Sequence, residues 1–280
     1  MSGWAMVLYS AVLLALYGVL TVRALSIRRK ERFRPNVDPF VVLLSYRPLW
    51  NKLQPWMNKL RIPLALLNGG TCTLETLIGW SAESIGLAYL TLMVTGFLAI
   101  GAENPALLFV GAILAGILPA LRAKELYGKV KKRHQSIVME LPELLSKLLL
   151  MVNAGENVMR ALARTVEQKQ GIQHPLYVEL NSALEGLKRG ESLSIALEEM
   201  GRRCAVPEVK LFATTLLINA RRGGDAFVPA LRELTRQMWD KRKAIARTLG
   251  EQASSRLAFP LTIVFLLIMV LVGAPTVFMM

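Results

Sequence analysis

GESLSIAL, residues 190–197, has two counterparts in the same chain, GENVMRAL at 155–162 and GDAFVPAL at 224–231. All three read glycine, an acid, any residue, an apolar residue, two variable positions, then Ala-Leu. Their glycines stand 35 and 34 residues apart. Upstream of the first, ELPELLSKLLLMVNAG (140–155) places Leu141, Leu144, Leu145, Leu148, Leu149 and Val152 on one helical face. Pro142 suits the first turn of that helix, where its missing N–H leaves no partner without a bond. Gly155 then fits the left-handed position that ends it.

The next helix starts at once, with Asn157 as its N-cap and Ala161 and Leu162 on its buried stripe. The second copy repeats the plan. Leu176, Leu180, Ala183, Leu184 and Leu187 form a stripe, Gly190 breaks the helix, Ser192 caps the next, and Ala196 and Leu197 face inward. In the third copy Val209, Phe212, Ala213, Leu216 and Ala220 precede Gly224, and Ala230 and Leu231 follow it. Asp225 must cap there, and Pro229 near the first turn implies a late or irregular start. Each phrase thus marks the corner of a helix–Gly–helix hairpin. The small Ala allows close approach and the Leu fills the seam, so three antiparallel hairpins make a six-helix bundle. The period suggests 34-residue tetratricopeptide units, but the Trp, Leu-Gly and Tyr positions of those repeats have no equivalents.

Composition sets this domain in a membrane. Of 280 residues, 53% are hydrophobic, mean hydropathy is +0.40 and net charge is +14. That combination favours a membrane protein with basic loops over a nucleic-acid binder. Four stretches reach the roughly 20 apolar residues that a span needs: residues 4–22, 85–101, 105–121 and 257–280. The expected layout is an N-terminal anchor (1–22), a cytoplasmic basic linker region (23–84), a transmembrane hairpin (85–121), a cytoplasmic helical bundle domain (122–256) and a C-terminal transmembrane helix (257–280). The first stretch has its basic residues after the apolar run, the reverse of a cleavable signal, so an uncleaved anchor is expected. Residues 23–84 hold ten Lys/Arg and residues 122–256 hold 24, whereas the turn at 102–105 holds none. The positive-inside rule then puts both termini outside and the main domain in the cytoplasm. The four stretches contain no Asp, Glu, Lys, Arg or His. This argues against an ion-coupled pump or carrier, where such groups stand at membrane depth. Gly111, Ala112, Ala115 and Gly116 allow close helix approach in the third span.

Catalytic signatures are missing. Gly128-Lys129 lacks the rest of a P-loop, and neither HExxH nor GxSxG occurs. Two histidines (His134, His174) and two cysteines (Cys72, Cys204) are too scattered for a metal site, so no cofactor is expected. The reducing compartment assigned to both cysteines disfavours a disulfide. Three basic clusters remain: Arg28-Arg29-Lys30, Lys131-Lys132-Arg133 and Lys241-Arg242-Lys243. They suit anionic lipid at the membrane surface or acidic surfaces on a partner. Nucleic-acid binding is not expected, because no recognition fold accompanies the charge.

The chain resembles the type II secretion system F family, the inner-membrane platform proteins of pili and secretion machines. The resemblance rests on Leu141-Pro142, the Leu-rich helix ending in Ala154-Gly155, the repeated Gly/Ala-Leu phrase, Val206-Pro207, Gly223-Gly224, and the basic helix RELTRQMWDKRKAIAR (232–247) followed by an apolar span. It covers about residues 122–280. Family members with two tandem domains differ from this chain, whose single domain after three spans resembles the tight-adherence (Tad) pilus branch. The resemblance implies a non-enzymatic bacterial inner-membrane platform. Its implied partners are a cytoplasmic secretion or pilus ATPase, pilin subunits, and a paralogous platform subunit or further copies of itself. The rivals are a membrane-anchored helical-repeat adaptor, which predicts an open solenoid, and a channel or carrier.

Overall fold

A computed structural model describes residues 3–27, 34–169, 171, 173–222 and 224–278. Every regular element among them is helical: α1 (Gly3–Ile27), α2 (Asp38–Leu44), α3 (Arg47–Leu67), α4 (Leu74–Gly101), α5 (Ala106–Asn153), α6 (Val158–Glu167), α7 (Pro175–Lys188), α8 (Leu193–Cys204), α9 (Pro207–Arg222) and α10 (Gly224–Phe278). Four candidate membrane-crossing stretches lie in α1, α4, α5 and α10, at Val7–Ser26, Leu74–Gly101, Ala106–Asn153 and Phe227–Leu271. The chain divides into two compact units, Met1–Arg133 and His134–Met280, and the division falls within α5. Within the described residues, the apolar stretches read at 85–101, 105–121 and 257–280 lie almost wholly inside longer helices. The sequence shows their apolar lengths, but no residue there breaks the helix at the membrane edge.

In the first unit, α1, α2 and α4 pack around aromatic rings. Tyr89 stacks on Tyr17 at 6.1 Å between centroids and meets Phe40 at 5.4 Å, and its hydroxyl donates to the Leu13 carbonyl. Gly86 is required here, because a Cβ on it would stand 2.2 Å from the Asn36 carbonyl oxygen. Helix α3 has two internal prolines, Pro55 and Pro63. Its buried Met57, Leu60 and Leu64 nevertheless form one cluster with Leu77 of α4 and Leu126 of α5. Burial of an amphipathic face thus holds a helix that local propensity alone would break. In α5, a Cβ on Gly111 would stand 2.0 Å from Thr95 Oγ1, so the two long helices touch at that glycine. Gly116 has open space around it.

One core cluster organises the second unit. It draws Ile137 to Leu148 from α5, Ala161, Leu162 and Val166 from α6, and Leu176, Tyr177 and Leu180 from α7. Leu197 and Met200 of α8, Phe212 and Leu216 of α9, and Phe227, Leu231 and Met238 of α10 complete it. Helices α7 to α10 pack in succession, each against the next. Pro142, expected to open a helix, lies inside α5, which runs unbroken through it. An interior proline costs about 3 kcal/mol. The fully buried Leu141, Leu144, Leu145 and Leu148 contribute about 1.5–3 kcal/mol each, so packing overrides the local preference. The third phrase also departs from expectation. Helix α10 begins at Gly224, ahead of Asp225, and includes Pro229. Its stripe of Phe227, Leu231, Leu234 and Met238 is buried, which rewards helix from the outset.

Candidate functional site

The repeated phrases occupy corners of the second unit. Gly155 and Gly190 have φ of +88° and +95°, a region that side chains disfavour. Both corners close with the same pair of bonds. Gly155 N donates to Val152 O and Glu156 N to Met151 O, each at 3.0 Å. Likewise Gly190 N donates to Leu187 O and Glu191 N to Gly186 O, each at 3.0 Å. This is the Schellman arrangement. The following helices start on side-chain caps, Asn157 Oδ1 accepting from Met159 N at 3.0 Å and Ser192 Oγ from Ile195 N at 3.3 Å. Ala161, Leu162, Ala196, Leu197 and Leu231 are buried and Ala230 is half-buried. Gly224 is the first residue of α10. None of these groups offers a reactive atom to a ligand.

Ionisable chemistry gathers instead where α5, the α6–α7 connection and α7 meet. Lys169 Nζ lies 3.3 Å from Glu140 Oε1 and 3.0 Å from Glu143 Oε1, and 5.5 Å from the centroid of the Tyr177 ring. The Tyr177 hydroxyl donates to Glu140 Oε1 at 2.8 Å. Hydrogen bonding to Glu143, and then to Glu140, holds the Lys169 ammonium above its ordinary pKa against the pull of burial. Burial, then the bond to Glu140, pushes the Tyr177 phenol well above its usual range. His174 caps α7, with Nδ1 accepting from Leu176 N at 3.3 Å and Nε2 at 2.6 Å from Ser136 Oγ. Burial lowers its pKa, opposed by Glu140 and assisted by Lys169. Lys169 therefore stays charged, Tyr177 stays a donor, and the free lone pair of His174 is committed to the helix end. The cluster ties elements together and has no poised base or nucleophile.

Two further pairs join neighbouring helices. Arg203 Nε lies 3.0 Å from Glu179 Oε2, which is buried, and Arg203 Nη2 donates to Ser182 Oγ at 3.0 Å. Buried Glu208, in the first turn of α9, pairs with Lys241 of α10. Trp239 Nε1 donates to Ser146 Oγ at 3.0 Å, and the Arg242 guanidinium stands 5.0 Å from the centre of the Trp239 ring. Lys243 lies 3.7 Å from Asp240. The triplet Lys241-Arg242-Lys243 is thus largely engaged within the helical unit. Lys131 and Lys132 are exposed on α5 and Arg133 is half-buried, while Arg28, Arg29 and Lys30 lie outside the described residues. Between α8 and α9 a groove of about 510 Å³ is lined by Ser194, Glu198, Gly201, Arg202, Lys210 and Thr214 among others. Ile195, Leu211 and Ile218 on the same two helices are exposed.

Sequence reasoning missed the Glu140–Lys169–Tyr177 cluster and the Glu179–Arg203 pair. Glu140 and Glu143, one turn apart on the polar face opposite the leucines, were a readable signal. Lys169 comes from a connection, and no spacing rule locates it. Among the described residues no group of three His, Cys, Asp or Glu side chains has metal-holding geometry, and neither Cys72 nor Cys204 is in a disulfide.

Residues 144–275 match the family model described as "Type II secretion system (T2SS), protein F". No curated protein and no solved structure matches the chain. The match begins within α5 and ends within α10, so it takes in most of the shared core, the Schellman corners and the last apolar stretch. Over these residues the chain is similar to the type II secretion system protein F family.

Proposed function

We propose that this protein is a non-enzymatic platform in a bacterial inner membrane, serving a Tad-like pilus or a type II secretion machine. The observation that carries the reading is the family match over residues 144–275, in a chain with four membrane-length apolar stretches. Both termini face outward, the helical unit faces the cytoplasm, and its three helix–Gly–helix corners serve one bundle. A cytoplasmic ATPase supplies the work, since the sequence carries no P-loop motif. The platform passes that work to pilin subunits held in the bilayer, together with a paralogous subunit or further copies of itself. A single core shared by α5 to α10 favours this reading over an open repeat solenoid.

Deletion of the gene tests the proposal. Filaments or secreted substrate should disappear while pilin accumulates in the membrane, and tagged platform should copurify with the ATPase. Normal assembly in the deletion strain would refute it.

A further inference from the structure

Within the first unit, Trp80, Arg122, Glu125, Leu126 and Lys129 line a cavity of about 240 Å³, several times the ~30 Å³ that one liquid water occupies. Its position follows from helix rise. The turn at 102–105 joins α4 to α5 at one end of the pair, and Gly111 against Thr95 keeps them in contact. Further along, Arg122 Nη1 meets Glu83 Oε1 at 3.1 Å. At 1.5 Å per residue, Glu83 to Gly101 spans about 27 Å and Ala106 to Arg122 about 24 Å, close to the ~30 Å hydrocarbon thickness of a bilayer. Trp80, Glu125 and Lys129 lie three to seven residues farther out. That puts the cavity about 5–10 Å beyond the hydrocarbon edge, at headgroup depth, where tryptophan is favoured.

Its charges are balanced. Arg122 pairs with Glu83, and Lys129 Nζ lies 2.9 Å from Glu125 Oε1. A purely anionic ligand would gain two cations but would bring its oxygens against the Glu125 carboxylate. A ligand carrying both signs satisfies the whole lining, while buried Leu126 and its cluster give the glycerol end an apolar floor.

We propose that this cavity binds the headgroup of a zwitterionic phosphoethanolamine lipid. Arg122 and Lys129 hold its phosphate, and Glu125 with the Trp80 ring holds its ammonium. The assignment rests on the membrane reading of α4 and α5.

The test is native mass spectrometry of the full-length protein in mild detergent, titrated with phosphatidylethanolamine and with phosphatidylglycerol of the same acyl chains. Phosphatidylethanolamine should be retained more tightly. Arg122→Gln with Lys129→Gln should weaken it about tenfold, the size expected for losing a charge-assisted hydrogen bond. Lys129→Gln alone, at a more exposed site, should weaken it in the same direction without disturbing the Arg122–Glu83 pair. Glu125→Gln should lower phosphatidylethanolamine retention and raise that of phosphatidylglycerol. Equal or tighter phosphatidylglycerol binding by the unaltered protein would overturn the proposal, as would retention that none of these variants changes. Soluble glycerophosphoethanolamine competing as well as the lipid would also overturn it, by making the ligand a free phosphoester. Alkaline carbonate extraction of native membranes is a separate arm: release of the protein would defeat the membrane reading itself, independently of headgroup preference.

Discussion

Helix α10 buries Phe227, Leu231, Leu234 and Met238 in its first half, whereas Phe259, Leu261 and Phe265 in its second half are 71%, 72% and 68% exposed. The two halves carry similar apolar side chains but in different patterns. The first repeats at three and four residues with Arg, Glu and Gln between, and one face is enough to fill a core. The second is apolar on every face, and no part of its membrane-like window is buried in the protein. Burial on one side identifies a helix whose other side meets water; apolarity all round, left exposed, identifies one whose solvent is lipid.

The largest expected effects break this contrast directly. Leu231→Ala empties a fully buried site and should cost about 2–5 kcal/mol, read as faster hydrogen exchange across α7 to α9 of the full chain in detergent. Leu266→Ala, on the exposed half, should leave those amides within about 0.5 kcal/mol. Leu266→Arg should instead penalise membrane insertion by about 2.5–3.5 kcal/mol, read by protease access to a C-terminal tag on sealed vesicles. Equal exchange in Leu231→Ala and Leu266→Ala would mean the two halves do not differ in solvent.

A second contrast lies in how helices touch. The second unit closes around leucines, while the long helices of the first approach through small residues. Of the two glycines that suggested close packing in the third span, only Gly111 is in contact; Gly116 faces open space. Gly111→Ala should therefore cost about 1–3 kcal/mol as Thr95 is displaced, and Gly116→Ala close to nothing. Thermal inactivation of both variants in one detergent would decide it, and equal losses would show that the glycines act through the backbone instead.

These cases show where the sequence was sufficient. The Leu stripes, the caps at Asn157 and Ser192 and the four apolar stretches are local patterns of fixed period, and they are read from a few neighbouring residues. Pro142 and the start of α10 were misread because the local rule was sound but outweighed: buried side chains far along the chain pay for the irregularity. The polar cluster was illegible for another reason. Lys169, Tyr177 and Glu140 come from separate elements, so their meeting depends on how the helices pack. The cavity at Trp80 likewise depends on matching heights along two helices, and no single segment encodes it.

The smallest predicted effect sharpens the comparison in another way, because both histidines of the chain, His134 and His174, fall in the second unit. His174 accepts the Leu176 N–H through Nδ1, which requires that nitrogen to be unprotonated. Ser136, Glu140 and Lys169 face or influence the ring, and burial leaves its folded pKa below the unfolded value near 6.5. Above that value both states are neutral and the cap contributes fully. As pH falls through it, the unfolded form takes up the proton first, so stability declines until the folded pKa is passed. His174→Asn keeps a capping oxygen that does not titrate, and His174→Ala should cost about 0.5–1 kcal/mol at pH 7. Hydrogen exchange in the first turn of α7, corrected for intrinsic rates, should lose protection between pH 7 and pH 5.5 in the unaltered chain and hold steady in His174→Asn. The same acid loss in both would place the sensitivity elsewhere, with the carboxylates that neutralise Lys169 the next groups to substitute.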